Sequence, residues 1–118
     1  MKFISLFLTS FLFCSASFAN FQYHFKCRGD GRNQLLDLKV GANGLEEVTF
    51  KYELKRINAY QLLSQYCDYG SMQFMWQDSA VADKKATLHL EFSSGTRWMG
   101  QLTFDGQEQV DLMCIDQL

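Results

Sequence analysis

From residue 21 onward, apolar and polar side chains alternate in short runs, and clusters of Gly, Asn, Asp or Ser punctuate them. This period of two marks strands buried on one face, because successive strand side chains point to opposite sides. In the clearest run Phe21, Tyr23, Phe25 and Cys27 share one face, while Gln22, His24, Lys26 and Arg28 share the other. Gly29-Asp30-Gly31 then turns the chain. Further runs are marked by Leu36, Leu38 and Val40, then by Val48, Phe50, Tyr52 and Leu54. After the middle of the chain come Met72, Phe74 and Trp76, then Leu88, Leu90 and Phe92. Trp98, Gly100 and Leu102 follow, and Val110, Leu112 and Cys114 close the series. Asp78 to Lys85 reads as a polar connection.

One segment breaks the pattern. Ile57, Tyr60, Leu63 and Cys67 fall at helical spacing, and Asn58 with Gln61 has the form of a capping box. The spacing predicts a short helix from Ile57 to Cys67, with Tyr60, Tyr66, Tyr69 and Trp76 packing around it. The fold class expected is all-β and mainly antiparallel: a small seven-stranded barrel or sandwich with one short helix. Leu35, Met75, Met99, Met113 and Ile115 fall on the polar side of their strands, and the helix is expected to cover part of that side. For the last hairpin, register favours a three-residue loop of Phe104-Asp105-Gly106, which sets Trp98 opposite Leu112.

The first nineteen residues have the anatomy of an export signal. Lys2 is followed by an apolar stretch from Phe3 to Phe13, and Ser17-Phe18-Ala19 places small residues at a cut before Asn20. We therefore expect a leader over 1–19 and a single β domain over 20–118, periplasmic or secreted, with no membrane span after leader removal. Leader removal takes one of the eleven basic residues and none of the thirteen acidic ones, so the mature domain is more acidic than the formal −2 of the whole chain. That balance argues against a partner recognised through nucleic-acid phosphates.

Of four cysteines, Cys14 leaves with the leader. The remaining three allow one bridge in three pairings, in a compartment where bridges persist. Cys27 with Cys114 is the expected pair, since both continue apolar stripes on the first and last strands, with Cys67 a buried thiol. Pairing of Cys67 with either of them stays open.

The candidate binding residues are the basic row His24, Lys26, Arg28 and Arg32 on this acidic domain, together with Ser94 and Arg97. No spacing here supplies a metal site, no cofactor is implied, and no motif identifies catalytic residues. Ser93-Ser94-Gly95-Thr96-Arg97-Trp98 resembles the Ser-Gly-x-x-Tyr loop of exported inhibitors of c-type lysozyme, which are also small β-barrels with an early and a late cysteine. Trp98 stands where that family has tyrosine, and Gln101-Leu102-Thr103-Phe104 replaces its aromatic-and-lysine stretch. The resemblance implies contacts through Ser94 and Arg97, and an aromatic at 98 that projects with the loop. Strand parity instead places Trp98 in the core, with Ser93 to Arg97 exposed. Taken together, the residues lead us to expect a non-enzymatic domain that binds a protein or glycan of the cell envelope. The alternatives are a structural envelope component without a discrete ligand, a lysozyme-inhibitor-like protein, and a small enzyme built on His24 or His89.

Overall fold

The computed structural model describes residues 22–31, 33–68, 70–105 and 108–117. Residues 1–21, which include the expected leader, and Arg32, Tyr69, Gly106, Gln107 and Leu118 lie outside them. Eight antiparallel strands form one sheet that curls into a nearly closed barrel. They are β1 (Tyr23–Arg28), β2 (Gln34–Gly41), β3 (Gly44–Phe50), β4 (Gln61–Cys67), β5 (Ser71–Gln77), β6 (Lys85–Ser94), β7 (Arg97–Phe104) and β8 (Glu108–Asp116). The spatial order is β3-β2-β1-β8-β7-β6-β5-β4. Neighbours in the sheet are therefore neighbours in sequence, except at the centre, where the first and last strands pair.

The eighth strand lies where a helix was expected. A 3-10 helix spans Tyr52–Ala59, earlier than predicted, and β4 follows it. Its buried residues Leu54 and Ile57 are three apart, the spacing that aligns side chains on one face of a 3-10 helix. They plug the core, so the helix does not cover the outer face. The longer helical stripe fails because Leu63 and Tyr66 are exposed, while Gln65 and Cys67 are buried at strand spacing. Asn58 caps nothing downstream. Its amide instead donates to the Phe50 carbonyl at 2.8 Å and accepts from the Phe50 N–H at 2.8 Å. β3 accordingly stops at Phe50, and Tyr52 turns away with φ of 57°.

Inward residues of the strands make one core. Phe50 and Trp76 meet edge to face at 5.2 Å. Trp98 packs against Tyr23, Phe25 and Phe92 at 5.4, 5.2 and 5.6 Å. Cys27 and Cys114 are directly opposite on β1 and β8 and form the expected disulfide. Cys67 is not the expected thiol: it too is disulfide-bonded.

The last hairpin corrects the predicted register while keeping its parity. Trp98 faces Cys114, Gly100 faces Leu112, and Phe104 faces Glu108. The three-residue loop therefore starts one residue later, at Asp105. That residue itself adopts φ of 54°, which aspartate tolerates better than most. Its N–H donates to the Lys85 carbonyl at 2.8 Å, and its carboxylate accepts from the Lys85 N–H at 3.1 Å. These bonds keep Phe104 in the strand and in the core.

The barrel's seam lies between β3 and β4. Side-chain amides cover the open edge of β3, Asn58 at Phe50 and Gln65 at Leu45, whose N–H donates to Gln65 Oε1 at 2.9 Å. Gly44 lies against the same amide: a Cβ there would sit 2.5 Å from it, and φ is 109°. Gly44→Ala is expected to cost about 1–3 kcal/mol. Denaturant unfolding measures this, and an unchanged midpoint would refute the seam's dependence on that close approach.

Candidate functional site

Alternation along β1 buries Phe25 and Cys27 and turns His24, Lys26 and Arg28 outward. β8 lies beside β1, setting Ile115 against Lys26 and Met113 against Arg28. β7 comes next, setting Arg97 against Ile115 and Met99 against Met113. Two rows result on the outer face: Arg28–Met113–Met99 and Lys26–Ile115–Arg97. At ~4.8 Å between strands, each row spans about 10 Å. Met99 and Met113 are 49% and 45% exposed.

The predicted basic row is only partly open. His24 Nε2 lies 2.8 Å from Asp37 Oδ1, whose other oxygen accepts from Gln34 Nε2 at 3.3 Å. The His24 N–H donates to Asp116 Oδ1 at 3.1 Å. Among the described residues, Lys26, Arg28 and Arg97 have no such carboxylate partner. Arg97, distant in sequence, thus joins Lys26 and Arg28. Arg32 lies outside the described residues.

Ser94 and Arg97 flank the turn at Gly95 and Thr96, paired across it and exposed. The Asp116 N–H donates to the Thr96 carbonyl at 2.8 Å and ties this turn to β8. Trp98 is 2% exposed, so the indole does not project with the loop. This is the core placement that parity predicts.

His89 stands on the outer face of β6. Glu91 Oε1 and Ser71 Oγ approach its Nε2 at 3.2 and 3.4 Å. A hydroxyl–imidazole–carboxylate relay needs the two partners on different ring nitrogens. Here both meet the same one, so the geometry supports no activation of Ser71. A shallow cavity of about 150 Å³ lies between His89, Glu91, Met99 and Gln101. A larger recess of about 470 Å³ beside the 3-10 helix is lined by Asp30, Tyr52, Glu53 and Asp111 among others. No group of three or more metal-ligating side chains is gathered among the described residues. Burial, then the carboxylates of Asp105 and Asp78, push the Tyr60 phenol above its ordinary pKa against the pull of Arg56. It therefore stays protonated at neutral pH.

Sequence reasoning missed Met99, Met113 and Ile115 as surface residues of the site. Their signal was present, as apolar residues on the polar parity, but a covering helix was assigned to them. No family model, curated protein or solved structure matches the chain.

Proposed function

We propose that this is an exported, non-enzymatic β domain that binds an anionic protein or envelope glycan through the outer face of β1, β8 and β7. One observation carries the proposal. Lys26, Arg28 and Arg97, unpaired among the described residues, gather around exposed Met99 and Met113 on a domain of net negative charge. Unneutralised cations on an acidic protein steer negatively charged partners to one place.

Export is compatible with the Cys27–Cys114 bridge, since such bonds persist in oxidising compartments. No helix among the described residues is long and apolar enough to cross a membrane. An enzymatic role for His89 or His24 has less support. His89 lacks relay geometry, and His24 is held by Asp37.

The test is capture of envelope components on the immobilised protein. Lys26→Glu/Arg28→Glu/Arg97→Glu is expected to lower specific capture about tenfold or more, and so is raising salt from about 0.05 to 0.5 M. Equal capture by the triple variant at both salts would overturn the proposal and favour a structural component without a discrete ligand.

A further inference from the structure

We infer that the partner at this face is a protein segment whose carboxylates surround an apolar anchor, rather than a glycan or a lipid surface. The inference rests on the proposed binding face and names its occupant. The two rows place an apolar centre of Met113, Ile115 and Met99 between cations: Lys26 and Arg28 on one side, Arg97 on the other. Asp37 stands opposite Lys26 and Glu91 opposite Met99 on the flanking strands, so an occupant that fits is apolar in the middle and places its negative charge at Arg28 and Arg97.

Each source of negative charge fits this pattern differently. A polyanionic glycan engages cations but gains little from methionines. Sugar rings pack on aromatic faces, and neither row contains an aromatic; the exposed Phe92 stands on β6, outside both rows. An anionic bilayer is held by about four to eight clustered cations, whereas three are gathered here among the described residues. A protein segment satisfies both halves at once. Arg and Met are enriched in protein interfaces, and unbranched methionines adapt to an apolar side chain laid over them. The strip of about 10 Å suits a few extended residues or one turn of helix.

The test uses three probes on the purified exported protein: a displayed library of short random peptides, heparin, and phosphatidylglycerol vesicles. Recovered peptides are expected to carry two or more Asp or Glu near a Met, Leu, Ile or Phe. Synthetic copies should bind about tenfold or more weakly to Arg97→Glu and to Met99→Ser/Met113→Ser, with unfolding midpoints unchanged. Titration should perturb amide signals of Lys26, Arg28 and Ile115. If heparin or vesicles bind instead, sensitive to Arg97→Glu but not to the methionine pair, the named occupant is wrong and the face stands. If no probe binds in a manner sensitive to Arg97→Glu, both the occupant and the face are wrong.

Discussion

Replacing Cys27 and Cys114 together with alanine is expected to lower the thermal unfolding midpoint by about 20–30 °C. The bridge closes a loop of sequence separation 87. Constraining an unfolded chain over that length is worth about 4–5 kcal/mol in the chain-entropy model. A domain of this size has about 5–15 kcal/mol in total, so losing the bridge takes away a large share. Pairing of β1 with β8 holds Cys27 and Cys114 directly opposite each other. Calorimetry of the double variant against the oxidised protein measures the effect. A drop below about 5 °C would mean that the unfolded chain is already compact without the bridge.

Trp98→Ala is expected to destabilise the domain by about 3–5 kcal/mol, as deletion of a buried indole does. The indole is 2% exposed and packs against three rings from β1 and β6. Trp98→Phe keeps part of that packing and should lose less. The same side chain decides the inhibitor-like alternative, which needs an aromatic reaching out with the hairpin. The wild-type protein is accordingly expected to leave c-type lysozyme activity unchanged. An alanine variant as stable as wild type, or stoichiometric lysozyme inhibition, would contradict the inward placement.

Strand parity was legible in the sequence wherever one face is buried, because a period of two leaves no choice of side. It assigned Phe25, Cys27, Leu38, Leu88 and Trp98 to the core. Register was less legible. It turned on whether the loop begins at Phe104 or at Asp105, and the Lys85 bonds that favour Asp105 come from a strand twenty residues away. The helix was misplaced because Ile57, Tyr60, Leu63 and Cys67 fit a helical period while Gln65 and Cys67 fit a strand. Only the seam, where Gln65 meets Leu45, decides between them.

The candidate face was half legible. Lys26 and Arg28 share a strand, so alternation places them together. Arg97 joins them only because the chain ends pair at the centre of the sheet, a non-local fact that no local pattern carries. His24 shares their parity, yet Asp37 on the next strand holds it.

Pairing the end strands and joining them covalently places the stretch from Cys27 to Cys114 in a closed loop. Every hairpin tip, the exposed stretch around Val81 included, lies within that loop. A single backbone cut at any of them linearises the loop but severs no piece from the molecule. Both halves stay attached and keep their strand partners. Against a protease, which reaches exposed tips first, such a molecule can be nicked once and remain whole.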